Sequence, residues 1–187
     1  YPKNDTEKRV YEALGSQNWG ASTTLMQEIA EDTFQYDTYD IVMKLLWDNC
    51  LEKQDSKSWK QLFKGLTLLE YLIKNGAERL IESSRDRLYR IRQLEHYNYY
   101  EDGNDKGSGV REMATKVIEI LGDNDRIREE RDKAKKLRAK FSGSGSTASS
   151  TGGIGGFGGR GNSGGFGSRG YDSQSNDRDR FDDARSR

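Results

Sequence analysis

The sequence predicts an all-α domain over residues 1–141 joined to a disordered Gly/Ser/Arg-rich tail over 142–187, and three observations lead there. Up to Phe141 apolar residues recur at steps of three and four, and no segment keeps up the alternation of a half-buried strand. From Ser142 onward, Ile154 is the only aliphatic residue larger than alanine. Hydrophobic residues make up 32% of the 187, which is lean for one core spread over the whole length, so the core must be concentrated before the boundary. The expected architecture is a compact superhelix of seven to eight short helices joined by tight turns, not a long bundle.

Taken in order, Ser22-Thr23-Thr24 forms a cap region that starts a stripe of Leu25, Met26, Ile29 and Ala30. Asp37 precedes a second stripe, Ile41, Val42, Leu45 and Leu46. From Trp59 to Ile73 the apolar residues Trp59, Leu62, Phe63, Leu66, Leu68, Leu69, Leu72 and Ile73 cover more than one face, which predicts a central helix packed on several sides. Gly76 breaks it, and a pair of helices is expected over Ala77 to Leu94. Asn98 to Gly109 is polar and glycine-containing and reads as an exposed loop. Val110, Met113, Ala114, Val117, Ile118 and Leu121 then form one buried stripe. Gly122 stops it and Asp123 caps a last, charged helix running to about Phe141. Beyond it the glycine-dense stretch GGIGGFGGRGNSGGFGSRG loses too much backbone entropy on ordering to fold, and a flexible tether is the plain expectation.

The formal net charge is zero, with 25 basic against 26 acidic residues before the boundary and six Arg against five Asp after it. Bulk attraction to nucleic acid or anionic lipid is not predicted, and any such binding needs a local patch. The single cysteine, Cys50, excludes an internal disulfide or a multi-thiolate metal site and suits a reducing compartment. No apolar run approaches the ~20 residues that span a bilayer. A soluble cytosolic protein is expected, and a chain opening on Tyr1 rather than Met reads as a fragment.

Catalysis finds little to stand on. His96 is the only histidine, and the carboxylates of EDGND, GDNDR and REERD are explained by solvated helix ends and pairing with Arg and Lys one turn away. Glycine-rich runs occur only in the tail, with no Lys-Ser/Thr after them, so no phosphate-cradling loop is predicted. No enzyme, cofactor or metal is expected. The candidate binding residues are Lys57, Lys60 and Lys64, which at steps of three and four would project, exposed, from one side of a helix near its start. There the helix terminus itself attracts phosphate, and the three ammonium groups could hold an inositol phosphate headgroup.

Four blocks carry a resemblance: NWGASTTLMQEIA (Asn18 to Ala30), SWKQLFKGLTLLEYLIKNGAERL (Ser58 to Leu80), GVREMATKVIEIL (Gly109 to Leu121) and DNDRIREERDKAKK (Asp123 to Lys136). In order and spacing they resemble the ENTH (epsin N-terminal homology) domain over essentially all of Tyr1 to Phe141. The resemblance implies an ENTH/VHS-like helical superhelix, no catalytic activity, and a cytoplasmic peripheral-membrane adaptor. It would bind phosphoinositide while tail motifs recruit clathrin and adaptor complexes, at coated vesicles, at endosome or trans-Golgi membranes, or at the plasma membrane. It also implies a monomer, and for the epsin-related branch SNARE cargo. The amphipathic helix that completes the epsin headgroup pocket would lie before Tyr1. Inside the core, the family's basic positions fall on Tyr11, Asn49 and Gln61, while two lysines are kept as Lys57 and Lys64. The tail departs from plasma-membrane epsins, because Pro2 is the only proline and no leucine follows Leu137, which excludes Asn-Pro-Phe motifs and a leucine-based clathrin box within it. Two alternatives stand beside this reading. One is a protein-only interaction module with little lipid affinity. The other is RNA binding through Arg160-Gly161, Arg169-Gly170, Phe157, Phe166 and Tyr171, although nucleic acid is not the expected partner.

Overall fold

The computed structural model describes residues 2–15, 20–53, 55 and 57–142. The tail, with the Arg-Gly and Phe-Gly pieces on which an RNA reading rests, lies outside the described residues from 143 onward. Eight α-helices run through the described part: α1 (Pro2–Leu14), α2 (Thr23–Asp32), α3 (Tyr36–Leu46), α4 (Trp59–Asn75), α5 (Arg79–Asp86), α6 (Leu88–Leu94), α7 (Ser108–Leu121) and α8 (Asn124–Ser142). A five-residue π-helical turn, Trp47–Leu51, continues α3. A two-stranded hairpin, β1 (Tyr100–Glu101) and β2 (Asn104–Asp105), lies between α6 and α7.

The helix limits follow from local chemistry. Ser22 caps α2, its Oγ accepting from the Leu25 amide at 3.1 Å. Gly122 ends α7, and the Asp123 Oδ1 accepts from the amides of Asp125 at 3.0 Å and Arg126 at 3.2 Å to open α8. The π-helical turn keeps Trp47, Cys50 and Leu51 all buried while Asp48 and Asn49 face out, its widened ring closed by the Glu52 amide donating to the Trp47 carbonyl at 2.8 Å. The stretch expected as a plain loop instead folds into the hairpin. Asp102 and Gly103 both have positive φ, 51° and 76°, the pairing that a tight two-residue turn demands. Arg111 on α7 pins this hairpin, with both terminal nitrogens on the Asp105 carboxylate and Nη1 also on the Tyr97 carbonyl at 3.0 Å.

Helix α4 is central, as its apolar pattern predicts. It buries Leu62, Leu66, Leu68, Leu69, Leu72 and Ile73 against α1, α2, α7, α8 and the π-helical turn. Complete burial of such side chains, at ~1.5–3 kcal/mol each, is the main force holding the stack together. Polar ties then set its geometry. Arg131 of α8 donates to the Ile73 and Gly76 carbonyls at the end of α4, both at 2.7 Å. Glu70 of α4 pairs with Lys74 at 2.7 Å and with Lys116 of α7 at 3.0 Å, and Lys74 reaches Glu130 of α8 at 3.5 Å. Burial pushes the Glu70 carboxyl up, but the two ammonium groups bonded to it more than offset this and hold it below the usual carboxylate range.

Candidate functional site

Three elements converge at one edge of the domain: the C-terminal turn of α1, the π-helical turn, and the first half of α4. Between them lies a cleft of about 300 Å³ lined by Val10, Tyr11, Leu14, Gly15, Leu45, Asn49, Cys50, Lys53 and Gln61. Their approach depends on Gly65. A Cβ there would stand 2.6 Å from the Cys50 Sγ and 3.0 Å from a Leu51 methyl, so α4 and the π-helical turn can meet this closely only without a side chain. The Cys50 thiol donates to the Gln61 carbonyl at 3.2 Å across the same seam. Burial pushes that thiol up to about 12, which keeps it protonated and unreactive in the folded protein.

Tyr11, Asn49 and Gln61, far apart in the chain, therefore line one cleft. They are the three positions on which the resemblance is expected to place the family's basic residues. The cleft keeps a cation in Lys53, which periodicity gives no reason to single out because it lies in the turn after the π-helix. The three lysines expected to form one exposed stripe do not. Lys57 precedes α4, in a turn closed by its amide donating to the Asp55 Oδ1 at 3.0 Å, and its side chain is exposed. Lys60 is exposed on the first turn of α4, 5.4 Å from the Trp59 ring centroid, with Lys106 from the hairpin side at 5.6 Å from the same ring.

Lys64 corrects the expectation of exposure, since only 6% of it is accessible. Its Nζ donates to the Gly15 carbonyl, the last described residue of the α1 end, and so ties α1 to α4 at a residue that lines the cleft. Burial, together with the neighbouring charge of Lys60, lowers its pKa. The reason is geometric: a step of seven residues along a helix returns to nearly the same side as Lys57 only if Lys57 is itself helical. His96 is exposed, and among the described residues no group of His, Cys, Asp or Glu side chains is disposed to hold a metal ion. Among them also, no helix is long and apolar enough to cross a membrane.

Comparison with known proteins agrees with this architecture. The ENTH domain model matches residues 3–127. Human Clathrin interactor 1 is 41% identical over 144 residues, which are 76% of this chain and 23% of that protein. Epsin-3 of Saccharomyces cerevisiae is 38% identical over 152 residues, 80% of this chain and 37% of the relative. The chain thus spans about a quarter to a third of the length of such relatives. Among solved structures, the human epsinR ENTH domain superposes with a TM-score of 0.66 at 41% identity, covering 71% of this chain and 97% of its own. The epsin-2 ENTH domain in complex with phosphatidylinositol 4,5-bisphosphate gives 0.64 at 27% identity, covering 68% and 89%. A chain of the helical ANTH and ENTH tubules on phosphatidylinositol 4,5-bisphosphate-containing membranes gives 0.59 at 31%, covering 73% and 88%. In fold, in motif order and in extent of match, this chain belongs to the ENTH domain family, a family of adaptors and not of enzymes.

Proposed function

We propose that this chain is the membrane-binding part of a vesicle-traffic adaptor, noncatalytic, which takes a phosphoinositide headgroup at the cleft between α1, the π-helical turn and α4 and so links membrane or cargo to a clathrin coat. The observation that carries this reading is the convergence of Tyr11, Asn49, Lys53 and Gln61 on one open cleft, in a domain whose relatives include an epsin ENTH bound to phosphatidylinositol 4,5-bisphosphate. Lys53, Lys57 and Lys60 supply the exposed charge. Lys64 holds the α1 terminus against α4, and its charge reaches the headgroup only if it leaves the Gly15 carbonyl. The neutral Tyr11, Asn49 and Gln61 hydrogen-bond phosphate or inositol hydroxyls without adding charge, so affinity for a multiply phosphorylated headgroup is lower than a cleft with arginine there would have.

Vesicle flotation tests this. The wild-type chain floats with phosphoinositide vesicles, and Lys53→Glu with Lys57→Glu lowers that binding by about tenfold or more, since each charge-assisted phosphate contact is worth ~1.5–3 kcal/mol. Asn49→Arg, at an exposed position, raises binding by about tenfold by the same reasoning. Binding unmoved by either change places the headgroup elsewhere. Loss of all phosphoinositide dependence, with protein cargo still captured, favours the protein-only module.

A further inference from the structure

The last turns of α8 carry an exposed apolar pair with no counterpart in the headgroup cleft. Leu137 is 56% and Phe141 74% exposed, the two large aliphatic or aromatic side chains that α8 leaves in solvent. Their origin lies in the course of the helix. Its inward stripe begins with buried Ile127, continues through Arg131 and half-buried Ala134, and is fastened last where Arg138 donates to the Asn75 side chain at the end of α4. The helix then runs on to Ser142, so Leu137 and Phe141, one turn apart, keep the apolar side going where, among the described residues, nothing buries it.

Charge changes along the same helix. Residues 124–132 hold three bases and four carboxylates, whereas 133–142 hold Lys133, Lys135, Lys136, Arg138 and Lys140 and no carboxylate. Two of these cations have ion-pair partners one turn back, Lys133 with Glu130 at 3.8 Å and Lys136 with Asp132 at 3.4 Å. The lysines of those pairs remain 71% and 79% exposed, and such surface pairs neutralise little. At 100° per residue, Lys135 and Lys136 project away from the Leu137–Phe141 side, and Lys133 and Lys140 flank it. An apolar ridge bordered by lysines whose stems allow their charges to reach upward is the pattern of a helix lying in the headgroup layer of an anionic bilayer. In a chain of zero net charge, this is a local cationic patch of the kind an anionic leaflet attracts.

We propose that the end of α8, Lys133–Ser142, is a second membrane-contact element that takes bulk anionic lipid and needs no phosphoinositide. Charge complementarity selects this occupant. A second copy of the same face would set five cations against five, and residues 143–187, with six Arg and five Asp, carry no acidic excess to cover it. From Gln61 at the cleft to Asn75 under Arg138 is fourteen residues of α4, about 21 Å along its axis, so the two contacts are separate. This contact shares with the headgroup cleft only the setting of a membrane.

The full chain is floated with vesicles of phosphatidylcholine and phosphatidylserine lacking phosphoinositide, and with neutral phosphatidylcholine vesicles. Binding to the first and not the second is expected. It falls by about tenfold or more in Leu137→Ser with Phe141→Ser, a change at exposed positions whose retained fold is checked by circular dichroism, and it is lost at high salt. In a parallel sample Phe141→Cys carries an environment-sensitive fluorophore, Cys50 being buried at 4% exposure, and its emission moves to the blue on the anionic vesicles. Flotation with phosphoinositide vesicles but not with phosphatidylserine vesicles overturns this proposal and leaves the cleft intact. Flotation with phosphatidylserine vesicles and no gain from phosphoinositide does the reverse. Unchanged binding in the double variant, a fluorophore that stays in water, or capture of acidic protein or nucleic acid in place of vesicles overturns it.

Discussion

Replacing Gly65 with alanine sets two well-known effects against each other. In an exposed helix interior the change is stabilising by about 1 kcal/mol, because alanine loses less backbone entropy. Here the new Cβ stands 2.6 Å from the Cys50 Sγ, closer than real Cβ contacts come, and 3.0 Å from the Leu51 Cδ2, tighter than most of them. Both neighbours belong to buried side chains of the π-helical turn, 4% and 0% exposed, and neither is the free end of a long flexible chain. Overpacking of this kind costs ~1–3 kcal/mol and outweighs that gain, so a net loss of up to about 2 kcal/mol is expected, a fall of up to roughly 6 °C in the melting midpoint for a domain of this size. Cys50→Ala removes the nearer obstacle and by itself costs about 1 kcal/mol for the lost sulfur contacts and the bond to the Gln61 carbonyl. The double variant should therefore lose little more than Cys50→Ala alone, giving a favourable coupling of about 1 kcal/mol. Urea unfolding followed by far-ultraviolet circular dichroism measures all three variants. Additive losses, or a stabilising Gly65→Ala, refute the claim that this glycine sets the distance between α4 and the π-helical turn. Because Asn49 and Gln61 line the cleft from the two sides of that seam, Gly65→Ala also widens the cleft.

Two further perturbations test how the helices are tied. Glu70→Gln removes pairs to Lys74 and Lys116 and lowers stability by about 1 kcal/mol at neutral pH, allowing for solvent screening. The folded protein holds this carboxyl below its unfolded value of 4.5, so its contribution is present above that pH and disappears as pH falls through the folded value. Wild type and variant should converge near the acid limit, and a difference that persists there shows that packing, not charge, is responsible. Arg131→Ala removes two bonds to the carbonyls that end α4 and costs about 2–3 kcal/mol, whereas Arg131→Met, which keeps the aliphatic stem, separates bonding from packing. Thermal unfolding indistinguishable from wild type in both would show that α8 is held without the guanidinium.

Most of the fold was legible because burial imposes a period. The stripes of α2, α3, α4 and α7 fall on the sides that meet neighbours, and Ser22, Gly122 and Asp123 stand where helix ends need them. The hairpin was legible in principle from Asp102-Gly103, a turn pair with positive φ, but four strand residues bury too little to leave an alternating pattern. The π-helical turn left no comparable mark. Trp47, Cys50 and Leu51 keep the spacing of an ordinary helical stripe, and the wider ring shows only in the bond from the Glu52 amide to the Trp47 carbonyl.

An all-helical domain of the ENTH family, the place where its periodic residues end, and the lack of bulk charge to draw it to a polyanion could all be read from the chain, since these depend on composition and on neighbours one turn apart. Tertiary structure alone decided the character of the site. Tyr11, Asn49, Lys53 and Gln61 belong to three elements and meet only when α1 and the π-helical turn close on α4 around Gly65. The same closure brings the Gly15 carbonyl over Lys64 and buries a lysine that a helical stripe would leave in water. A helix period reports which residues share a side, but what covers that side is settled by chain segments far away in sequence.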